Sequence, residues 1–531
     1  MKENIDQLKA FLLRAGSYPA GETASVELVE THISLVFLGD RFVYKLKKPV
    51  KFEFLDFSTL DARRRACDDE LRLNRRMAAG AYLGVVPIVR DSGGELRFGA
   101  PRESATDPAD SGEIVDWVVK MRRLDGGRML DELIRNDRLT ADDIARLAGY
   151  LADYYAAAPS AVIEPGAYHA SIVRHVRANR DDLLRAAATD LQPMIRRIHG
   201  DQLRFLHEYR GWFEERVRIG KIVDGHGDLR PEHICLETIP AVYDCVEFSA
   251  EFRRIDVADE LSFLAVECDV LGRPDVGEAV IEKYRWTCDV DLDDLLIAFY
   301  KSYRACVRGK VAVLRAEQQA GAERERSLAT VAGYLKAAAR FNPECGWTLF
   351  VMRGLMGTGK STLAAALAEE LAIQRIRTDE VRLEMFGAAR DAAAFGAAHY
   401  SAENKAAVYD ETLRRCTQAI SAGESVVADG SFLDADSLLS AAEAARSTGA
   451  QLLVVECRCP AEEAKSRIAR RLAEGRDPSE ARPELYDRQA AAAQSIPAGL
   501  AAIVVDTVRP LTEQIAAVFS RSFDQEPNRA S

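Results

Sequence analysis

Residues 354–361 have the sequence Gly-Leu-Met-Gly-Thr-Gly-Lys-Ser, which satisfies every defined position of the pattern GxxxxGK[ST]. The apolar run TLFVMR before it is typical of a strand, and the segment STLAAALAEEL after it is typical of a helix. Glycines let backbone amides curl around a phosphate group, and the start of a helix adds partial positive charge there. The stretch therefore predicts a loop that binds the phosphates of a nucleotide.

The predicted cofactors are ATP and Mg²⁺. Lys360 should reach the β- and γ-phosphates as a catalytic residue, and Ser361 should ligate Mg²⁺. The predicted ATP-binding residues are consecutive: Gly354, Leu355, Met356, Gly357, Thr358, Gly359, Lys360, Ser361 and Thr362.

Further acidic and basic residues follow neighbouring strand-like runs. Asp429 ends the run SVVAD and is predicted to hold Mg²⁺, because ligands bind at the carboxyl ends of parallel strands. Asp379 follows the run AIQRIRT and could accept the proton of a substrate hydroxyl, while Arg382 could fix the substrate. Arg470 and Arg471 could close over the phosphates. The alternatives are a helix cap for Asp379 and a solvated basic face for the arginines.

After residue 343, five short apolar strands alternate with helices, which predicts an α/β domain with a parallel sheet. Before it, strands in residues 24–50 form a hairpin at Gly39–Asp40, and helices dominate from about residue 130, which predicts an α+β domain. The predicted domains are residues 1–342 and 343–522, with a polar tail at 523–531.

The second domain resembles the small P-loop kinases of the gluconate kinase, polynucleotide 5′-kinase and zeta-toxin type. The resemblance covers residues 347–508 and rests on GLMGTGKST, RTDEVR, VVADGSF and RIARRL. It implies phosphoryl transfer to a hydroxyl with Asp379 as the candidate base, and it leaves the acceptor open.

A second constellation lies in the first domain. The loop HGDLRPEH carries Asp228 and His233, and the run CVEF carries Glu247. Upstream, Lys45 lies in the strand-like VYKLKKPV, and Glu70 lies in the helical DDELRLNRR. Carboxylates and a Lys–Glu pair in this order suit phosphoryl transfer from a nucleotide held with Mg²⁺.

These residues resemble the aminoglycoside phosphotransferase and choline kinase branch of the protein-kinase-like fold, over residues 25–315. The resemblance implies that Asp228 is the catalytic base, that Lys45 binds ATP phosphates and that Glu70 orients Lys45. It places Glu247 and His233 as metal ligands, although the family usually has Asp and Asn there. Asp244 is an alternative ligand, and a degenerate nucleotide-binding module is an alternative to an active site.

The composition limits the class of protein. The net charge is −12 among 531 residues, which argues against an extended nucleic-acid partner. No apolar run approaches the ~20 residues of a membrane span, and the ten cysteines contain no CxxC, so we expect a cytoplasmic protein without a membrane partner. The leading interpretation is a tandem, bifunctional kinase that phosphorylates a small hydroxylated, sugar-like metabolite. The alternatives are a kinase for a nucleic-acid 5′ end or a nucleotide sugar, and an ATP-binding regulatory module.

Overall fold

The structure is a computed structural model, and it describes residues 2–52, 55–100, 112–289, 292–342, 346–387, 402–474 and 483–519. Its contacts divide the chain into two compact units. The first unit comprises Met1–Glu164 and Glu215–Ala305, and the second comprises Pro165–Glu214 and Cys306–Ser531. Residues 343–345 and the polar tail lie outside the described residues, and the domain boundary near residue 343 stays a prediction.

Up to residue 342 the helices are α1 (Lys2–Leu13), α2 (Leu60–Ala78), α3 (Leu130–Arg135), α4 (Ala141–Ala157), α5 (Pro165–Ala186), α6 (Gln192–Glu208), α7 (Arg210–Arg218), α8 (Ala250–Arg253), α9 (Val257–Val270), α10 (Pro274–Cys288), α11 (Asp294–Glu317) and α12 (Gly321–Phe341). The strands are β1 (Glu27–Glu30), β2 (Ser34–Leu38), β3 (Phe42–Lys47), β4 (Lys51–Phe52), β5 (Leu55–Asp56), β6 (Tyr82–Arg90), β7 (Leu96–Phe98), β8 (Glu113–Arg122), β9 (Ile222–Asp224), β10 (Ile234–Cys235), β11 (Ala241–Val242) and β12 (Arg254–Asp256).

After residue 346 the strands are β13 (Thr348–Arg353), β14 (Gln374–Arg377), β15 (Val426–Asp429), β16 (Gln451–Arg458) and β17 (Ala502–Asp506). The helices are α13 (Lys360–Leu371), α14 (Thr378–Phe386), α15 (Ala402–Ser421), α16 (Ala435–Ser447), α17 (Ala461–Glu474), α18 (Pro483–Ala492) and α19 (Leu511–Phe519).

The first unit contains an antiparallel sheet in the order β1-β2-β3-β8-β6-β7. The predicted hairpin is confirmed, because Gly39 and Asp40 lie in the turn between β2 and β3. Helix α2 begins after Thr59, whose side chain accepts a hydrogen bond from the amide of Ala62, and it packs on β6 and β8. This packing buries Glu70 against the sheet. The α+β class predicted for this part is confirmed.

The second unit contains a parallel sheet in the order β14-β15-β13-β16-β17. All five strands coincide with the predicted apolar runs, and the central β13 is buried at every residue because helices cover both faces. The order places β13 between β15 and β16. Strand β13 leads into residues 354–361, the phosphate loop, which therefore lies at the carboxyl edge of the sheet. The α/β class is confirmed.

Helices α5 and α6 belong to the second unit, although they precede α7 in the chain. Helix α6 packs against α13, the helix that follows the phosphate loop. Glu370 of α13 receives two hydrogen bonds from Arg177, at 2.8 and 2.7 Å, and its carboxylate is almost completely buried. The second unit therefore has a helical layer that the alternation of strands and helices after residue 343 did not predict.

Candidate functional site

The phosphate loop has a backbone that only glycine adopts easily. Gly354, Gly357 and Gly359 have φ values of 145°, 75° and 85°. A Cβ atom at Gly354 would lie 2.6 Å from the carbonyl oxygen of Cys457, and one at Gly357 would overlap the carbonyl oxygen of Ala464. The glycines of the motif are therefore required both by backbone conformation and by close packing.

Four backbone amides of the phosphate loop have no hydrogen-bond partner in the described part of the protein. Within the described part of the chain, the amides of Gly357, Gly359, Lys360 and Ser361 donate to no protein acceptor. The amide of Met356 donates to Oε1 of Gln489 at 2.7 Å. Unpaired amides at the start of a helix bind anions well, because the helix adds partial positive charge. The phosphate loop can thus accept a phosphate group. The side chain of Gln489 accepts the hydrogen bond of one of the loop's amides.

Lys360 extends along the loop that precedes it. Its Nζ donates to the carbonyl oxygen of Leu355 at 2.7 Å, and the same oxygen accepts from Oγ1 of Thr358. Burial lowers the pKa of the Lys360 ammonium. A phosphate would supply a counter-charge for this ammonium. Lys360 is therefore placed to give up its hydrogen bond to the Leu355 carbonyl and donate to a phosphate oxygen instead.

Ser361 and Asp429 meet at the carboxyl edge of the sheet. Oγ of Ser361 donates to Oδ1 of Asp429 at 3.1 Å, and Oδ2 of Asp429 is buried without a hydrogen-bond partner. Burial raises the pKa of this carboxyl, although Ser361 and Lys360 oppose the shift. A hydroxyl and a carboxylate oxygen are ligands that Mg²⁺ prefers, and an unpaired buried oxygen suits a cation. The two residues therefore fit the predicted Mg²⁺ site.

Two arginines that the sequence analysis did not single out lie beside Asp429. Arg377 Nε and Arg375 Nη1 lie 3.6 and 3.8 Å from Oδ2 of Asp429, which is beyond hydrogen-bond distance. Arg375 also donates to the carbonyl oxygen of Ser361 at 3.1 Å. Both residues lie on β14, where the alternation of side chains in IQRIR could have indicated a charged face.

The predicted substrate residues lie on α14. Arg382 donates to Oδ1 of Asp379 at 2.8 Å, so the candidate base and the candidate substrate-binding residue form an ion pair. Of the predicted lid residues on α17, Arg470 is exposed and Arg471 is half-buried, close enough to Lys360 to lower the lysine pKa. Their roles and that of Thr362 at the start of α13 stay predictions.

The candidate site of the first unit is a buried ionic network. Lys45 Nζ lies 2.8 Å from Oε1 of Glu70, as the resemblance implied, and 2.8 Å from Oδ1 of Asp244. Lys47, two residues along β3 and on the same face, is fully buried and lies 2.6 Å from Oε2 of Glu70. Burial alone would lower the pKa values of both lysines, but Glu70 and Glu247 raise both above the ordinary value, and Asp244 also raises that of Lys45. Both lysines are therefore charged.

Of the two acidic residues near CVEF, Asp244 rather than Glu247 faces the candidate ATP site. Glu247 pairs with Lys47 and is 7% exposed, so its carboxylate already has a buried counter-ion. Asp244 has a φ of 62°, which turns it toward Lys45, and its Oδ2 lies 3.7 Å from Nε2 of His233. The interaction with Lys45 lowers the pKa of Asp244. Asp244 is the more accessible of the two carboxylates, at 42% exposed, and the metal roles of Glu247 and of its alternative Asp244 stay predictions.

Hydrogen bonds and an ion pair among its own residues hold the HGD loop, residues 226–233, in place. Nδ1 of His233 contacts the carbonyl oxygen of Asp228 at 2.9 Å, and its Nε2 faces Nη2 of Arg230 at 3.2 Å. Arg230 also pairs with the Asp228 carboxylate at 3.0 Å. Because both nitrogens of His233 are engaged within the protein, His233 fits a loop-holding role better than the predicted metal role.

Glu260, which the sequence analysis missed, supports this loop from α9. Its buried carboxylate accepts from the amides of His226 and Gly227 at 2.6 and 3.1 Å. Burial raises the pKa of Glu260 to about 7, although these amides oppose the shift. Glu260 lies in the acid-rich segment DVADEL, and no motif in the sequence indicated that this carboxylate would hold the loop.

The described residues contain neither a further metal site of clustered side chains nor a membrane-spanning helix. Within the described ranges, no cluster of three or more His, Cys, Asp or Glu side chains is arranged to bind a metal. No helix among the described residues combines the length and apolar character needed to cross a membrane.

Comparisons with known proteins match both parts of the chain. A family model described as an AAA domain matches residues 349–496. The chain is 31% identical over 454 residues to the uncharacterized protein Rv2004c of Mycobacterium tuberculosis (strain ATCC 25618 / H37Rv), which covers 84% of this chain and 86% of the relative. An uncharacterized protein of Mycobacterium bovis, Mb2027c, matches to the same extent.

The chain belongs to the family of these mycobacterial proteins. The match extends over more than the AAA domain, so members of this family share most of both parts of the chain.

Solved structures resemble each part separately. A choline/ethanolamine kinase family protein from Mesorhizobium loti covers 64% of this chain and 99% of its own, with 12% identity and a TM-score of 0.35. Aminoglycoside 2′-phosphotransferase-IIIa in its GDP complex covers 64% and 100%, with 15% identity and a TM-score of 0.36. A gluconokinase from Sinorhizobium meliloti covers 32% and 89%, with 17% identity and a TM-score of 0.24.

Proposed function

We propose that the phosphate loop binds ATP and that the second unit transfers its γ-phosphoryl group to a hydroxyl of a small, sugar-like metabolite. The observation that carries this proposal is the arrangement of Ser361, Asp429 and Lys360 around open amides. Ser361 and Asp429 would hold Mg²⁺, which would neutralise phosphate charge when bound. The resemblance to small P-loop kinases supports transfer to a hydroxyl, and the sugar-like acceptor is part of the proposal.

The chain's own residues account for the remaining chemistry. Lys360 would bind the transferred phosphoryl group and stabilise its charge. Asp379, at the first turn of α14, would accept the proton of the acceptor hydroxyl once Arg382 leaves its ion pair to bind the acceptor. Catalysis would rest mainly on positioning and charge stabilisation, as phosphoryl transfer generally does.

The first unit would provide a second ATP site, which makes the protein bifunctional. Lys45 would bind phosphates, Glu70 would orient Lys45, and Asp228 would accept a substrate proton. Asp244 would take the cation role that the family resemblance assigned to Glu247, because its carboxylate is 42% exposed whereas that of Glu247 is 7% exposed. The proposal includes a cytoplasmic location, because the described cysteines are all free thiols, as in a reducing compartment.

A specific observation favours a second candidate for the first unit, a nucleotide-binding regulatory module. The Asp228 carboxylate is paired with Arg230, and His233 is occupied by hydrogen bonds within the loop. A site so occupied could bind ATP without turning it over. In this case the phosphate loop would carry all of the chemistry.

Incubation of the purified protein with ATP, Mg²⁺ and a panel of hydroxylated metabolites tests the proposal. Phosphorylated products are detected by mass spectrometry for the wild type, Lys360→Ala and Asp228→Asn. Loss of one product in each variant supports two active sites, and loss in Lys360→Ala alone supports the regulatory role of the first unit. Product formation that neither variant changes would refute the proposal.

A further inference from the structure

The second unit contains another pocket, at the edge of the parallel sheet opposite the phosphate loop. Trp347, immediately before β13, and Ser425, immediately before β15, form one side of it. The end of α13 at Leu371 forms another side, and α6 closes the pocket. The pocket thus lies where the strands begin, whereas the phosphate loop lies where they end.

One face of α6 supplies three cations to this pocket, namely Arg196, Arg197 and Arg204. Arg204 is fixed by Glu208 at 2.7 Å and by Oγ1 of Thr348 at 3.0 Å. The guanidinium of Arg197 lies over the Trp347 ring, 4.5 Å from its centroid. Arg197 is exposed and Arg196 is half-buried, so both can meet a ligand that enters from solvent.

The acidic groups of the pocket do not cancel this charge. Asp201 accepts a hydrogen bond from Nδ2 of Asn342 at 2.7 Å, and Glu424 lines the opposite side. Burial raises the pKa of Asp201 to about 7, although Arg197 and Arg204 oppose the shift; Glu208 adds to it. Near neutral pH Asp201 is therefore protonated in about half of the molecules. Glu208 offsets the charge of Arg204, so Arg196 and Arg197 remain to face Glu424 and the partial charge of Asp201.

The walls of the pocket are held in place. Arg177 and His207 both contact the Glu370 carboxylate of α13, and Arg180 donates to the carbonyl oxygen of Glu370 at 2.7 Å. Gly200 brings α6 close to the end of α13, since a Cβ there would lie 3.0 Å from the carbonyl oxygen of Leu371. A pocket with fixed walls loses little ordering entropy when a ligand binds.

The size of the cavity limits the ligand. Its volume is about 30 Å³, on a scale in which one water molecule needs about 10–15 Å³. This is room for a group of a few heavy atoms and is too small for a nucleotide. Arginine pairs most strongly with planar or tetrahedral oxyanions through several parallel hydrogen bonds.

We propose that Arg196 and Arg197, with Trp347 and Asp201, form a binding site for a small oxyanion, such as a free phosphate or sulfate or the terminal anionic group of a metabolite. The site is separate from the phosphate loop and does not depend on the function proposed for it. Protonated Asp201 can donate a hydrogen bond to the anion, whereas ionised Asp201 repels it. Affinity therefore falls as the pH rises through 7.

Isothermal titration of the full-length protein with sulfate tests this site, because the charge of sulfate stays constant between pH 6 and 8. We expect Arg196→Ala/Arg197→Ala to weaken sulfate binding by at least tenfold. We expect Arg185→Ala, an exposed arginine on α5 outside the pocket, to leave it unchanged. Lys360→Ala should also bind sulfate at this pocket, and this result would distinguish the pocket from the phosphate loop.

The pH dependence gives a second test that does not need the double variant to fold. Wild-type affinity should fall by up to about tenfold from pH 6 to pH 8, because a single group titrates between these values. Asp201→Asn should remove this dependence, and Arg196→Gln should weaken binding at every pH. The proposal is overturned if sulfate binds equally well to the double variant, if Lys360→Ala alone abolishes binding, or if Asp201→Asn keeps the full pH dependence.

Discussion

Oγ of Ser361 lies 3.1 Å from Oδ1 of Asp429, and the second carboxylate oxygen of Asp429 is buried without a hydrogen-bond partner. A structural carboxylate in a protein interior normally has its oxygens paired. Arg377 and Arg375 lie 3.6 and 3.8 Å from this oxygen without hydrogen-bonding to it, so the oxygen can still accept a cation as a ligand. A substitution of Asp429 should therefore affect cation binding more than it affects folding.

Asp429→Asn should abolish Mg²⁺-dependent binding of ATP at the phosphate loop while leaving the fold intact. The variant removes a buried carboxyl whose pKa burial has raised, so we expect the free energy of unfolding to stay unchanged or to rise by about 1 kcal/mol. Urea unfolding and Mg²⁺ titration measure the two effects. Ser361→Ala serves as the matched variant with a smaller loss of Mg²⁺ affinity. A large loss of stability in Asp429→Asn would show that the carboxylate is structural.

Lys47→Met should destabilise the first unit by about 3–5 kcal/mol, because it leaves Glu70 and Glu247 without one of their buried counter-ions. Adding Glu247→Gln to this variant should restore part of the stability, since one uncompensated charge disappears. Urea unfolding of the two single variants and the double variant measures the coupling. If Glu247→Gln alone changed cation affinity without changing stability, Glu247 would be a metal ligand and the assignment of Asp244 would be wrong.

Glu260 predicts a pH dependence of stability. Its pKa is raised to about 7 in the folded protein, so the neutral form is favoured there, and stability is lost as the pH rises from about 4.5 to about 7. The side chain of the Glu260→Gln variant cannot ionise. The difference in free energy of unfolding, variant minus wild type, should therefore increase by roughly 3 kcal/mol across that range. Unfolding curves at pH 5, 6, 7 and 8 give this difference. A difference that stays constant with pH would contradict the shift.

Much of the fold and of the phosphate loop could be predicted from local sequence. The GxxxxGK[ST] pattern, its strand and its helix are contiguous, so their geometry follows from a short stretch of chain. The Lys45–Glu70 pair was found through a family resemblance, because residues 25 positions apart carry no common local pattern. Lys47 belongs to the same strand, and the alternation of side chains on β3 could have placed it on the same face as Lys45.

The remaining features depend on tertiary contacts or on backbone conformation. The choice between Asp244 and Glu247 depends on the positive φ of Asp244, which the neighbouring sequence does not indicate. Arg177 and Glu370 are 193 positions apart, and neither belongs to a motif, so the placement of α5 and α6 in the second unit could not be predicted.

The most direct test of the account is the binding of ATP at the phosphate loop, measured by calorimetry with Mg²⁺ for the wild type, Lys360→Ala and Lys45→Ala. The open amides and the Lys360 ammonium predict that Lys360→Ala lowers either ATP affinity or phosphoryl transfer by at least about 100-fold. Lys45→Ala should leave this binding event in place. If Lys360→Ala bound ATP and formed product as the wild type does, the phosphate loop would not be the nucleotide site.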